Sequence, residues 1–443
     1  MRFRLTGAKL NGGARGAQRP DSFGEVRAST SAPSGSIDTD GDRRHRRPSR
    51  ALIFAITITG IMANTLIAPA IPDILADLGV AQNAAGLVLA AATLPGIVVA
   101  PVIGLLADRY GRREVLVPCL AAFGVAGGLA GFAPTFGMLI FLRLLQGVGS
   151  AGLINLAVVV IADHWSGADR ARIIGQNSAM LTIALAVLPP LGGGLTDLIG
   201  WRASFAPYWI GVPIAAVAAR VLGSSSRGDV RIGEQVRHAL GYLRSARVLA
   251  AMGSGMILFV LIFGLILTAL PLYLAEDFGL GATERGLVLG VPALTATVGA
   301  LSLGRLTARF GPRRLVLTGS AVVTVAFAIV AQAPVLSVVV LGALLYGLGE
   351  GATIPSLQAI VAGAAPASSR GAVVAVWVGG VRAGQSAGPL LAGVALGHLG
   401  ASGTFWAGAG VAGALLAVQI LSGQPTSPSL EDHDVVARAE LDW

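Results

Sequence analysis

Three charged side chains lie in stretches where charge is costly. Arg143 sits in LIFLRLLQGVGSAG (139–152), Glu350 in LLYGLGEGAT (344–353) and Arg382 in VWVGGVRAGQSAG (376–388). A guanidinium carried to the middle of an apolar helix destabilises it by several kcal/mol unless acceptors surround it. Arg143 is therefore expected to face a bundle interior, with Gln146 one turn on beside it. Glu350 is the protonatable group within a span, because a carboxyl can shed its charge on burial and a guanidinium cannot. The chemistry these residues offer is proton exchange tied to a change of shape. Arg143, Gln146, Glu350 and Arg382 are its candidates, with Asp73 at the end of the first apolar run. A second cluster, GLLADRYGRRE (104–114), sets Asp108 among Arg109, Arg112 and Arg113. There a carboxylate can pair with base or with a helix N-terminus. Gly104 would let a neighbouring helix approach, and Gly111 would permit the left-handed turn of so short a loop.

These groups need a scaffold, and the composition says which kind. The apolar residues make up 54% of the 443 and Gly adds 61, while charged residues make up only 12%. A soluble chain of that length carries about twice as much charge, so most of this one is expected to sit in hydrocarbon. Twelve apolar segments of 19 to 26 residues follow one another: 51–72, 84–105, 115–133, 137–161, 173–195, 203–222, 249–273, 286–306, 315–333, 335–360, 371–396 and 403–421. Each can cross about 30 Å of hydrocarbon as a helix. A lipid-facing open sheet would leave its amides unpaired, and the runs lack the alternation of a membrane barrel. The expected fold is an all-α polytopic membrane protein of twelve transmembrane helices in two six-helix bundles. Its parts are a disordered tail (1–50), a first bundle (51–222), a linker with an interfacial helix (223–248), a second bundle (249–421) and a second tail (422–443).

With the N-terminus placed inside, 28 of the 32 Lys and Arg residues fall on the cytoplasmic side. Two, Arg202 and Arg285, fall opposite, and Arg143 and Arg382 lie within helices. That bias puts both termini in the cytoplasm and assigns the net charge of +9 to orientation and anionic headgroups, with no role left for nucleic acid. A single cysteine, Cys119, and five scattered histidines give no metal cluster, and no nucleophile or acid–base pair gathers at one depth. An enzyme is excluded, and neither a cofactor nor a metal is expected.

The two halves repeat at a constant offset of 200. Gly86-Leu87-Val88-Leu89 meets Gly286-Leu287-Val288-Leu289. Gly104, Arg109, Gly111 and Arg113 meet Gly304, Arg309, Gly311 and Arg313, and Pro189 and Gly193 meet Pro389 and Gly393. A tandem repeat of six spans predicts two bundles rocking about a site at the membrane midplane, which is the architecture of alternating-access transport.

The motifs resemble those of a known family. GLLADRYGRRE is similar to the signature loop of the major facilitator superfamily, and LIFLRLLQGVGSAG resembles the fourth-helix motif of its twelve-helix drug:proton antiporter branch. LPPLGGGL (188–195) resembles the fifth-helix antiporter motif, with Leu188 where the family has Gly. The resemblance covers about 51–421. It implies a secondary transporter, working as a monomer in a bacterial plasma membrane, that exports small amphiphilic compounds or drugs against inward-moving protons. The alternative within the fold is an exporter or importer of sugars or other metabolites. The resemblance further implies that Asp108 helps latch one conformation and that Arg143 takes part in proton transfer. The second loop, GRLTARFGPRR, has Ala308 opposite Asp108, so the latch is expected on one side only. Pro189, Gly192, Gly193, Gly388 and Pro389 are expected to bend or loosen their helices. Trp165, Trp201, Tyr208, Trp209 and Tyr273 are expected to anchor at the membrane interface.

Overall fold

A computed structural model of the chain describes residues 48–223, 246–363 and 370–421. The expected tails and most of the expected linker helix lie outside the described residues. Within them, ten helices are long and apolar enough to cross a membrane. Two of the ten, Ala282–Ala331 and Arg370–Leu421, each turn a corner at one glycine in the left-handed region, Gly311 (φ 76°) and Gly400 (φ 67°). Divided there, ten become twelve. They are α1 (Arg50–Asp77), α2 (Gln82–Tyr110), α3 (Arg112–Ala130), α4 (Phe136–His164), α5 (Gly167–Ile199), α6 (Trp201–Val221), α7 (Met252–Glu276), α8 (282–310), α9 (312–331), α10 (Leu336–Val361), α11 (370–399) and α12 (401–421).

The sequence repeat is also a repeat of backbone. Left-handed glycines recur at Gly79 and Gly279, at Gly111 and Gly311, and at Gly200 and Gly400. Each pair is separated by the same 200 residues and closes the same connection in the two halves. Packing follows the same offset. A Cβ on Gly147 would lie 2.8 Å from the Ala92 carbonyl oxygen, and one on Gly347 would lie 2.2 Å from that of Pro292. In lipid there is little hydrophobic drive between helices, so such close approaches hold a bundle together.

The two sets of six helices meet through α5 against α8 and α2 against α11. A Cβ on Gly286 would strike the Pro189 carbonyl oxygen at 2.4 Å, and one on Gly86 would strike that of Pro389 at 1.9 Å. Gly193 and Gly393 pack likewise on the Ala282 and Asn83 carbonyls. Pro189, Gly192 and Gly193 do not interrupt α5, which remains helical over 33 residues. Their use is contact: Gly192 packs on Leu66 of α1, Gly193 on α8, and Gly388 on Val260 of α7.

Irregular backbone concentrates elsewhere. In α1 a single 3₁₀ turn (Ala68–Ala70) falls between the main helix and the stretch beginning at Ile71, where Pro69 and Pro72 supply no N–H. In α7, Ile262–Ala269 is a π-helix ahead of Pro271. Thr268 bonds its hydroxyl to the Phe263 carbonyl five residues back at 2.7 Å, so the widened turn keeps that oxygen satisfied.

Candidate functional site

Arg143 is fully buried within the first six helices. Its Nε donates to the Val88 carbonyl of α2 at 3.1 Å. Nη1 donates to the Ala63 carbonyl of α1 and to Gln146 Oε1, both at 2.7 Å. Nη2 donates to Asn64 Oδ1. The planar fork of a guanidinium suits this arrangement, because its donors reach three helices from one point. All four acceptors are neutral oxygens, and no carboxylate shares the cluster among the described residues. The desolvation of the charge is therefore offset by charge-assisted hydrogen bonds alone. Tyr208 of α6 completes the cluster. It is fully buried, donates to the Ala63 carbonyl at 2.9 Å and packs edge-on against Phe123 at 5.5 Å. Tyr208 thus belongs to the bundle core, which corrects its expected place among the interface anchors. Trp165, Trp201 and Tyr273 are buried as well, and Trp201 donates to Asp77 at 3.0 Å.

Glu350 lies on α10 in the second half, and the Tyr346 hydroxyl is the polar group beside it. That hydroxyl neighbours the carboxyl without closing a hydrogen bond. No ion pair joins Glu350 to Arg143 or Arg382 among the described residues. Arg382 turns the other way. From α11 it reaches the Ala151 carbonyl of α4 at 3.3 Å and lies against Gly96 of α2, so it bridges the two halves at mid-span. The sequence candidates thus occupy three separate places: Arg143 with Gln146 in one bundle, Glu350 in the other, and Arg382 between them.

Asp73 belongs to a fourth place. It forms an ion pair at 2.5 Å with Arg285, whose side chain is only 4% exposed. Arg285 looked like a loop charge in the sequence, but α8 begins at Ala282 and Arg285 lies in its first turn, buried against α1. Nearby, the Asp197 carboxylate at the end of α5 accepts from the Ala282 and Thr283 amides at 2.9 and 2.7 Å. It therefore caps the N-terminus of a helix in the opposite half. Gln82 bonds Glu276 across the same boundary. These contacts close the arginine-poor end. Thr93 to the Gln385 carbonyl, at 3.3 Å, and Arg382 to Ala151 carry the closure to mid-span. No cross-bundle hydrogen bond lies nearer the arginine-rich end among the described residues.

At that arginine-rich end, Arg112 pairs with Asp108 at 2.6 Å and with Asp163 of α4 at 3.2 Å, and it also bonds the Ala107 carbonyl. Gly111 adopts φ 109°, as the short turn required. Gly104 differs from expectation. No described atom lies within 4 Å of where its Cβ would be, so in this conformation it faces open space and supports no close helix. Arg109 stacks over the adjoining Tyr110 ring at 5.5 Å.

The roles of Asn64, Tyr208, Asp197 and Arg285 were not identified from sequence. The available signal was weak, because each is one polar residue near a span end or in a span. Only the partner's position, up to 212 residues away, gives it a role.

Comparison with known proteins agrees with this architecture. The family model described as Major Facilitator Superfamily matches residues 53–264 and 252–436. An uncharacterised MFS-type transporter of Mycobacterium tuberculosis (strain H37Rv) is 33% identical over 198 residues, 44% of this chain and 28% of that protein. This chain therefore spans less than a third of that relative's length. A chloramphenicol resistance protein of Streptomyces lividans is 28% identical over 391 residues, 85% of this chain and 95% of the other. Among solved structures, a bacterial homologue of the human lysosomal transporter Spinster, inward-facing and occupied, superposes with a TM-score of 0.72. Its identity is 18%, over 86% of this chain and 98% of that one.

Proposed function

The chain belongs to the Major Facilitator Superfamily of transporters, and we propose that it exports small amphiphilic compounds in exchange for inward-moving protons. One observation carries the reading. A half-buried acid, Glu350, and a fully buried base, Arg143, sit in opposite bundles, and neither has an oppositely charged partner among the described residues. A fixed cation with neutral acceptors keeps its charge. A carboxyl without a cation instead exchanges a proton with water whenever the bundles part. Glu350 is thus the proton carrier in this reading, and Arg143 with Gln146 holds α1, α2 and α4 in register around the path. Asp73 is engaged by Arg285 and acts in closure, as does Asp108 with Arg112 at the other end.

The arginine-rich end is the cytoplasmic one in this reading. Both termini lie there, and the closed arginine-poor end makes the conformation inward-facing. Each six-helix half moves as a unit, and a single chain suffices. The cargo is neutral or anionic. Asn64 occupies the mid-span polar position of α1 and is already bound to Arg143, so among the described residues α1 offers no mid-span carboxylate to a cationic drug. Similarity to a chloramphenicol resistance protein supports a neutral amphiphile.

The test is uptake into inverted membrane vesicles under an imposed proton gradient, with chloramphenicol first in a panel of amphiphiles. Accumulation that collapses on adding a protonophore is expected. Accumulation of sugars alone, or uptake indifferent to the gradient, would replace the reading with the metabolite-carrier alternative.

A further inference from the structure

We infer that the second half carries a binding site for one anionic phospholipid, formed by Arg305, Arg309 and Arg314 and the groove between α8, α9 and α10. The repeat exposes the site by contrast. Around the α2–α3 connection, Arg109, Arg112 and Arg113 are matched by Asp108, Glu114 and Asp163. At the α8–α9 connection, 200 residues on, every one of those acids is gone. Ala308 stands for Asp108, Arg314 for Glu114 and Gly363 for Asp163, while Arg305 adds a further cation. Four arginines remain, and among the described residues no carboxylate pairs with any of them. Arg305, Arg309 and Arg314 are exposed, and the Nε of Arg313 is buried without a partner. Like charges gathered on one connection repel one another, so the cluster calls for an anion.

The adjoining surface says which anion. A groove of about 450 Å³ begins beside Arg314 and Phe310 and continues past Leu306, Leu317, Val322 and Leu348. From Arg314 to Val322 along α9 is about 12 Å at 1.5 Å per residue. Its walls are apolar, and its charged member stands at the end nearest the headgroup layer. A free phosphate would use the arginines and leave the groove empty. An anionic phospholipid uses both, with its phosphate on the arginines and an acyl chain along α9. The occupant is therefore a lipid of the surrounding leaflet, and the site is independent of cargo and coupling.

The test is native mass spectrometry of the full chain in neutral detergent, with phosphatidylglycerol and phosphatidylcholine of the same acyl chains. The wild type should retain phosphatidylglycerol preferentially. Arg309→Ala with Arg314→Ala should weaken that retention about 30-fold, the factor for two arginines at about 1 kcal/mol each, and leave phosphatidylcholine unchanged. Val322→Trp fills the groove without touching charge and should weaken retention of both lipids. Arg109→Ala with Arg113→Ala, at the balanced connection, should leave the preference intact. Equal retention of the two lipids by the wild type would overturn the proposal. So would displacement of phosphatidylglycerol by millimolar inorganic phosphate together with indifference to Val322→Trp, which would assign the arginines to a free anion. Preference that emerges only after residues 422–443 are deleted would make the acidic stretch 431–434 the native occupant, and would overturn it equally.

Discussion

The pair Asp73–Arg285 exists only while the arginine-poor end is closed, so weakening it should open that end by a calculable amount. Asp73→Asn keeps the shape and removes the charge. The contact is 2.5 Å between a guanidinium 4% exposed and a carboxylate 41% exposed. A hydrogen bond to a charged group contributes about 1.5–3 kcal/mol when buried. The exposure of Asp73 calls for a discount for solvent screening, which leaves about 1–2 kcal/mol. Asp197 remains close enough to Arg285 to interact with its charge, which keeps the loss within that range. The state open at the arginine-poor end should therefore rise about 5- to 30-fold in population.

Accessibility labelling reads that population directly. Ala282 is fully buried under the closed end. In a Cys119→Ala background, Ala282→Cys should react with a membrane-impermeant thiol reagent at a rate proportional to the open fraction. Asp73→Asn should raise the rate 5- to 30-fold at unchanged membrane abundance. Arg285→Ala removes the buried cation that both Asp73 and Asp197 face, so the effects of the two substitutions should be less than additive in the double variant, a coupling that a double-mutant cycle isolates. A change below two-fold for Asp73→Asn, or additive effects in the double variant, would refute the reasoning and reduce the pair to a surface contact.

Three further outcomes are expected. Arg143→Ala removes the donor to four buried acceptors, of which Ala63 keeps Tyr208 while Asn64, Val88 and Gln146 lose the guanidinium, and should destabilise the protein by about 2–4 kcal/mol; a thermal midpoint in detergent unchanged from wild type would contradict it. Asp108→Asn removes the 2.6 Å pair with Arg112 at constant volume, so membrane abundance should hold while transport in vesicles falls about tenfold, a barrier change of about 1.4 kcal/mol. Glu350→Gln fixes the neutral form and should abolish gradient-driven accumulation and its pH dependence while downhill exchange persists; concentrative, pH-driven transport by that variant would remove Glu350 from the coupling role.

The fold was legible because its two signals are redundant. Hydropathy gave the twelve crossings, and the 200-residue offset related the halves before any helix was placed. Six of the seven left-handed glycines among the described residues then pair at that same offset, from Gly79 and Gly279 to Gly200 and Gly400. Arg143 and Gln146 were legible as a pair because one turn of helix sets them side by side. What lay hidden depends on distance in sequence. Asn64 and Tyr208 become partners of the Arg143 cluster only when α1, α4 and α6 converge. Arg285 looked like a loop charge because the hydropathy of α8 begins one residue later, although Ala282 already starts the helix. Gly104 meets open space, whereas Gly192 and Gly193 of α5 meet backbone carbonyls of other helices. A glycine's spacing is visible in sequence, whereas what its missing Cβ would have met is not.

Symmetry of backbone combined with asymmetry of polar groups carries a mechanical consequence. The two halves use the same turns and the same glycine contacts, so each can pivot on the other with little repacking: Gly86 rides on Pro389 as Gly286 rides on Pro189. Their interiors differ at the matching positions. Arg143 corresponds to Ala343, Gln146 to Tyr346 and Ser150 to Glu350. One half therefore holds a permanent cation tied to three of its own helices, and the other holds an acid with a tyrosine beside it and no cation paired to it among the described residues. A buried salt bridge between them would be strongly destabilising to break, and even Arg382, in the same half as Glu350, forms no ion pair with it among the described residues. Kept apart, neither is neutralised by the other. Any change in the charge of Glu350 must then come from solvent, to which its half-buried side chain is already partly open in this conformation.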